Sequence, residues 1–378
     1  MMRVLHITAW YPNRDEPHEA PFIERHIAAL APHASNAVWH IAVRGNKPWS
    51  FQRKSYKADR TYVLTLPLNR YFVLEWIATC LILWAWYSRP RNMRFDAMNF
   101  HIAYPNCTRN RLLVRLMGLP MVITEHWSAF NRKFSVSSPG VDRIRRIFHR
   151  GIPIIVVSKA LERDIVEFAG PPRPLAYVVD NAVDPAVFHP EPGVPVVEGV
   201  FFALAGWRFP KRPDVLVESL ARLRTMGFPA RLRIGGTGPQ LDALRKRIAE
   251  LDLTAHVDLL GQLDEQHVAQ EMRAAHAMVH ASDYETYSAV CAEALCCGTP
   301  VIASGVGGIP EFVGPGMGQL VATNTAEEWT ATWAAAWKEL LIADRGSISR
   351  TMIQRAGIES VGERYAQVLA SVARNQRL

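Results

Sequence analysis

Cysteine is scarce in this chain. Five occur among 378 residues, at 80, 107, 291, 296 and 297, an odd number with no Cys-x-x-Cys spacing. That pattern excludes a disulfide framework and a cysteine-based zinc site, and it fits a reducing compartment. Internal repeats and low-complexity tracts are missing as well, which excludes fibrous and coiled-coil architectures. No secretory signal is expected: the opening MMRVLHITAW is broken by His6, lacks a small-residue cleavage site and reads as a first β-strand. Charged residues make up only 21% and apolar residues 49%, the balance of a soluble globular chain. The length is too great for one compact core and suits two domains.

The charge that is present is unevenly placed. Residues 1–190 carry 25 Lys and Arg against 14 Asp and Glu, whereas residues 191–378 carry 18 against 21. One reading is that the first half faces an anionic partner, either nucleic acid or a membrane surface. The other is an ordinary basic surface with no partner. Charge alone leaves both open.

Short runs rich in Val, Ile and Leu alternate with longer amphipathic stretches along the whole chain. Strands are expected at 3–8, 37–43, 61–66, 96–100, 120–124, 153–157 and 175–179, then at 200–205, 230–235, 256–260, 276–280, 299–303 and 318–321. Helical patterns between them are the mark of parallel sheets covered on both faces. Between the two sets, His189-Pro190-Glu191-Pro192-Gly193-Val194-Pro195 breaks all periodicity and is the linker candidate. The expected architecture is α/β, with two doubly wound Rossmann-like domains spanning 1–190 and 191–358 and facing a cleft. Ligands in such folds bind at the carboxyl ends of the strands.

Residues 71–87, YFVLEWIATCLILWAWY, stand apart. They are apolar almost all round, with Glu75 and Thr79 the only polar members; Arg70 precedes them, and Arg89, Arg91 and Arg94 follow. A bilayer span would put strands 3–8 and 96–100 of one sheet on opposite sides of the membrane, so a span is rejected. Two readings stand: a buried helix, or a helix sunk in the lipid interface with tryptophans at headgroup depth.

The segment richest in chemistry is 282–313, SDYETYSAVCAEALCCGTPVIASGVGGIPEFV. Glu285 and Glu293 bracket seven residues. A helix is expected to begin near Ser288 and to stop at Cys297-Gly298-Thr299-Pro300. Its first-turn amides are unpaired and its dipole favours an anion such as a diphosphate. Glu285, just outside the helix, can reach sugar hydroxyls, and Glu293, two turns in, can take a vicinal diol. Carboxylates on helices are usually solvated, but Glu293 lies among Ala292, Ala294 and Leu295, where a solvated face is not expected.

This segment resembles the Glu-x7-Glu motif of the retaining glycosyltransferases of the family-four group, which have the GT-B fold. The resemblance rests on Glu285, Tyr287, Glu293-Ala294-Leu295, Gly298, Pro300-Val301-Ile302-Ala303, Gly307-Gly308 and Glu311. Thr286 and Ser288 stand where the family often has glycine. Upstream, Ala205-Gly206-Trp207-Arg208-Phe209-Pro210-Lys211 resembles the turn whose Arg and Lys hold the donor diphosphate, although the spacing from Arg208 to Lys211 is shorter than usual. The turn at Gly235-Gly236-Thr237-Gly238-Pro239 resembles the family's second glycine turn. In the first half, Thr124-Glu125-His126 resembles the motif whose His contacts the donor sugar. Tyr11-Pro12-Asn13, the Ala20-Pro21-Phe22-Ile23-Glu24 run and Asp180-Asn181-Ala182-Val183-Asp184 resemble further family marks.

The resemblance implies a retaining, metal-independent hexosyltransferase that takes a UDP- or GDP-sugar to an acceptor hydroxyl, in envelope, exopolysaccharide or lipid-linked glycan synthesis. It implies His126, Glu285, Arg208 and Lys211 as catalytic residues. Arg208, Lys211, Gly236, Thr286, Tyr287, Ser288 and Glu293 are implied as donor-binding, with no cofactor. No Asp-x-Asp motif occurs, so Arg208 and Lys211 are expected to replace a divalent ion. Helix 359–378 is expected to pack back onto the first domain. The expected partners are a nucleotide sugar, a glycan or lipid-linked acceptor and an anionic membrane surface, without nucleic acid. The expected location is cytoplasmic, with peripheral attachment to the inner face of the cell membrane if 71–87 is interfacial. The alternatives are a nucleotide-sugar-binding protein of this fold without transfer activity, and a nucleotide-sugar epimerase.

Overall fold

The computed structural model describes residues 1–13, 19–43, 50–56, 58–66, 84, 94–107, 118–132 and 139–375. The two readings of segment 71–87 therefore lie outside the described residues, Trp84 apart. Among the described residues no helix is long and apolar enough to cross a membrane.

The chain divides into two compact units, Met1–Ala182 with Ile358–Leu378, and Val183–Gly357. Unit 1 contains β1 (Met2–Thr8), β2 (Ala34–Val43), β3 (Ser50–Tyr56), β4 (Ala58–Leu66), β5 (Ala97–His101), β6 (Met121–Glu125), β7 (Ile154–Val156) and β8 (Ala176–Val178). They form one sheet in the order β3-β4-β2-β1-β5-β6-β7-β8. All neighbours run parallel except β3, which pairs antiparallel with β4. The central strands are buried on both faces, and polar members such as His6, Asn99, His101 and Thr124 are buried with them. Unit 1 also holds α1 (Pro21–Leu30), α2 (Ala129–Arg132), α3 (Pro139–Phe148) and α4 (Lys159–Ala169).

Unit 2 is a six-stranded parallel sheet in the order β11-β10-β9-β12-β13-β14. Its strands are β9 (Val197–Leu204), β10 (Arg231–Gly235), β11 (Val257–Gly261), β12 (Ala275–His280), β13 (Val301–Ser304) and β14 (Gly318–Val321). The helices α5 (Pro213–Thr225), α6 (Leu241–Glu250), α7 (Glu265–Ala274), α8 (Ala289–Cys296), α9 (Ala326–Leu341) and α10 (Arg345–Ala356) connect and follow them. Phe201, Leu216, Leu220, Leu232, Trp329 and Trp333 form the centre of its core.

The final helix, α11 (Ile358–Asn375), belongs to unit 1. Val361, Tyr365, Leu369 and Val372 recur at helical spacing and bury against Val4, Leu30, Val122 and Ile155. The division between the units differs from the expected linker. Val183 N–H already donates to Ala356 C=O at 2.8 Å. Arg273 of α7 donates to the carbonyls of His189 and Val187 at 2.8 and 2.7 Å and pairs with Glu191 at 3.1 Å. The Pro-rich stretch is therefore fastened to unit 2, and the boundary falls at 182/183.

Candidate active site

In unit 2 the strand order reverses between β9 and β12, which makes their carboxyl ends the topological switch point where ligands of open α/β sheets bind. The chain leaving β9 carries Arg208 and Lys211 into α5. The chain leaving β12 carries Glu285 and Ser288 into α8. Residues some seventy positions apart thus meet because two strands are neighbours.

Backbone and side-chain staples fix both loops. Trp207 is 1% exposed and donates from Nε1 to Gly235 C=O at 2.8 Å, while its amide bonds Thr237 C=O at 2.8 Å. Lys211 and Ser282 form an antiparallel bridge, and Asp283 N–H donates to Pro210 C=O at 3.0 Å. Arg212 clamps Asp214 at 2.8 Å and Asp283 at 3.3 Å. Asn324 donates to Ser282 C=O at 2.7 Å and to Asp283 Oδ1 at 3.0 Å.

Within this frame Lys211 Nζ and His280 Nε2 converge on one oxygen, Glu285 Oε1. The lysine forms a short ion pair with it, and the imidazole bonds it at 2.7 Å. Burial alone would raise the Glu285 pKa, but the Lys211 charge and the His280 hydrogen bond outweigh it and bring the pKa down to about 2. His280 is held below its ordinary value by burial first and by the Lys211 charge second. It is therefore neutral, with Nε2–H as the donor. Arg208, by contrast, is exposed, and its guanidinium makes no hydrogen bond among the described residues. The two expected cations are thus in different states: one paired and half-buried, one open to solvent.

The N-cap of α8 is Ser288, at φ 74°, ψ 78° in the left-handed region, with no side-chain bond to the helix amides. Its hydroxyl instead meets Cys291 Sγ at 3.1 Å. The first-turn amides of α8 are therefore left without a side-chain cap, the condition under which a helix start accepts an anion. Thr286 is partly exposed. Tyr287 is 1% exposed, its ring packed 5.0 Å from Phe312, so what it offers to the loop surface is backbone. Glu293 is buried on α8.

Two glycines shape the surroundings. Gly236, at φ +99°, has no room for a Cβ, which would lie 2.0 Å from Ala205 O, so its residue type is set by packing on the β9 loop. Gly307, at φ +55°, would place a Cβ 1.5 Å from Glu285 O, and Gly308 N–H donates to that same carbonyl at 3.2 Å. The Gly307-Gly308 turn thus sits directly on the Glu285 backbone.

In unit 1, His126 follows β6. Both its ring nitrogens are buried, and among the described residues neither has a hydrogen-bond partner in good geometry, the Asn181 side chain being the polar group alongside. Burial holds it neutral, and the nearby His26 adds to that effect. An imidazole buried in this way carries a free-energy cost that a hydroxyl-bearing partner would relieve. Glu125 aims it, accepting from Ala103 N–H at 2.9 Å and from His126 and Trp127 N–H at 3.0 Å each. Burial nevertheless pushes the Glu125 pKa up to about 7.

Around them lie His6, His101 and His26. The His6 and His101 rings are bonded at 3.1 Å, and His26 bonds Asp180 C=O at 2.9 Å. Among the described residues no group of three His, Cys, Asp or Glu is arranged to hold a metal ion. Burial also raises the thiols of Cys107, Cys291 and Cys297 to about 12, which leaves no thiolate nucleophile among these three. His280, Trp207 and the stapling role of Glu125 were not anticipated. For His280 the available signal was a histidine as the last residue of a strand whose other members, His276 apart, are apolar.

Residues 189–343 match the family model described as "Glycosyl transferases group 1". Among curated proteins, D-inositol 3-phosphate glycosyltransferase of Mycolicibacterium vanbaalenii is 32% identical over 176 residues, which cover 43% of this chain and 38% of that protein. The chain thus spans well under half the length of that relative. MMP alpha-(1->4)-mannosyltransferase of Mycolicibacterium hassiacum is 30% identical over 256 residues, 62% of this chain and 61% of that protein. Among solved structures, Anabaena HepE in complex with UDP superposes with a TM-score of 0.75 at 17% identity, covering 98% of this chain and 100% of HepE. The two parallel-sheet α/β units are those of the GT-B fold.

Proposed function

We propose that this chain, whose residues 189–343 are a group 1 glycosyl transferase domain, moves a sugar from a nucleoside-diphosphate sugar to an acceptor hydroxyl with retention of the anomeric configuration. The observation that carries the reading is the convergence of Lys211, Glu285 and His280 at the switch point of unit 2, beside an exposed Arg208 and the uncapped start of α8. Fixed cations and free amides in one place suit a diphosphate, and a buried ionised carboxylate suits sugar hydroxyls.

In this reading Arg208, Lys211 and the first amides of α8 take the diphosphate, and the Gly236 turn borders it. Thr286, Tyr287 and Ser288 contribute backbone. Glu285 accepts from the sugar hydroxyls and Glu293 from the ribose diol. His126 meets the sugar near the reacting carbon. The acceptor oxygen attacks that carbon on the face the diphosphate leaves; the old C–O bond breaks, and the departing diphosphate oxygen takes the acceptor proton. The two cations offset the charge developing on the leaving group, which supports a metal-independent reaction. HepE has been crystallised with UDP-glucose, which favours a uridine donor over a guanosine one. The basic surplus of residues 1–190 favours a lipid-linked or envelope glycan as acceptor, reached at an anionic membrane surface from the cytoplasmic side.

Calorimetry tests the assignments. Glu293→Ala should weaken both UDP and the intact UDP-sugar by about 1.5–3 kcal/mol. Glu285→Ala should abolish transfer without weakening UDP, since it releases Lys211. Transfer should survive excess chelator and give a product of unchanged anomeric configuration by NMR. Equal loss of UDP affinity in both variants would overturn the division of roles, and activity restored only by added magnesium or manganese would overturn the metal-free reaction.

A further inference from the structure

In the proposed reading a diphosphate competes with Glu285 for Lys211. In the ligand-free protein Lys211 Nζ and His280 Nε2 share the single oxygen Oε1, while Oε2 accepts no hydrogen bond among the described residues and is not sealed from solvent. Lys211 is the more exposed member of the pair, with 19% of its side chain accessible against 10% for Glu285. A phosphate arriving at the α8 start competes for its ammonium as a concentrated negative charge. If the lysine turned away and nothing else held Glu285, a buried carboxylate would face a diphosphate with no compensating group.

We propose that His280 is the positioning residue that holds Glu285 Oε1 when Lys211 turns to the diphosphate, so that Oε2 stays presented to the sugar. This rests on the glycosyl-transfer reading of the site. His280 is suited to the task because it cannot follow the lysine. It is the last residue of β12, in register with Ala303 of β13, and its side chain is 1% exposed. Its Nε2–H is committed to Glu285, so it is a neutral donor that neither attracts nor repels the incoming phosphate. The loop carrying Glu285 is held independently by Asn324, Arg212 and the Gly307-Gly308 turn. Loss of the imidazole should therefore free the carboxylate without unfolding the loop. The charged and titratable groups facing Glu285 are Lys211 from the β9 loop, His280 from β12 and Cys291 from α8.

The test compares His280→Leu with His280→Gln, whose amide can still donate. In His280→Leu, UDP affinity should stay within about twofold of the parent, while transfer and affinity for the intact UDP-sugar fall about tenfold or more. The acid limb of the transfer profile should move to higher pH, and His280→Gln should recover most of the loss. The Glu285 carboxyl carbon, followed by NMR in the ligand-free protein, should titrate at higher pH in His280→Leu than in the parent. Equal loss of UDP and UDP-sugar affinity, or an unmoved carboxyl titration, overturns the proposal. If His280→Leu does not fold, His280→Gln decides, because a merely space-filling imidazole would show no preserved titration there. If the parent neither binds nor turns over any nucleotide sugar, the glycosyl-transfer reading fails, whereas the carboxyl titration still reports separately whether His280 holds Glu285.

Discussion

Lowering the pH from 7 to 5 should loosen unit 1 selectively around the carboxyl ends of β1 and β5. His6 and His26 are completely buried, and burial holds each at about 4, against 6.5 for a free side chain. A histidine held below its unfolded value contributes stability at pH 7 that is lost as the pH falls from 6.5 toward 4. At pH 5 each has lost about 2 kcal/mol, from about 1.4 kcal/mol per pH unit. Glu125 runs the other way. Burial holds it at about 7 in place of 4.5, so its contribution is full at low pH and is lost as the pH rises through 7; acidification to pH 5 returns about 2 kcal/mol. The balance of these three groups is a loss of about 2 kcal/mol. His101 and His126, both held well below the ordinary value by burial and neighbouring histidines, add to the loss. Against a typical domain stability of about 5–15 kcal/mol this is a large fraction. Urea unfolding at pH 7, 6 and 5, read by a brief deuterium pulse on peptides from β1 and β5, measures it. A midpoint for those peptides that is flat or rises toward pH 5 would show that the histidines are not buried neutral together.

Gly307→Ala should destabilise unit 2 by about 3 kcal/mol or more, because its Cβ meets backbone, not a movable side chain, and its φ is left-handed; circular dichroism melts check this, and an unchanged Tm would mean that the turn does not press on Glu285. Ser288→Gly should do the opposite. Relieving a left-handed serine is worth about 1 kcal/mol, about 3 °C in Tm for a unit of this size, and a lower Tm would show that the Ser288–Cys291 contact outweighs the backbone strain.

How much of this was legible in the sequence depended on what each element is made of. The parallel strands were readable because burial on both faces demands unbroken apolar runs, as in Ile154–Val156 or Val301–Ser304. Strand β3 was not, because Ser50–Tyr56 is a polar sequence on an antiparallel edge, where no apolar pattern is required. The attachment of the Pro-rich stretch to unit 2 was hidden for a related reason. Pro and Gly mark irregular backbone, but nothing local to 189–195 reveals that Arg273, more than seventy residues on, binds its carbonyls. At the site, Glu285, Lys211 and Ser288 were visible as motif members. The second partner of Glu285 was not, since His280 reaches it only through the direction in which β12 ends. Tyr287 illustrates the limit of motif reading: its place in the pattern was clear, its burial against Phe312 was not.

The return of α11 to unit 1 sets the order in which the molecule can be completed on the ribosome. Unit 2 is continuous in the chain and can close as it emerges. Unit 1, whose strands are made first, keeps the groove formed by Val4, Leu30, Val122 and Ile155 uncovered until Val361, Tyr365, Leu369 and Val372 arrive. Translating the intervening unit of roughly 175 residues takes on the order of 10 to 35 s at ~5–20 residues per second. Throughout that interval the nascent N-terminal unit presents an apolar seam and the polar ends of Thr124 and Asn99, which Tyr365 later engages. The first half to be synthesised is therefore the last to be finished.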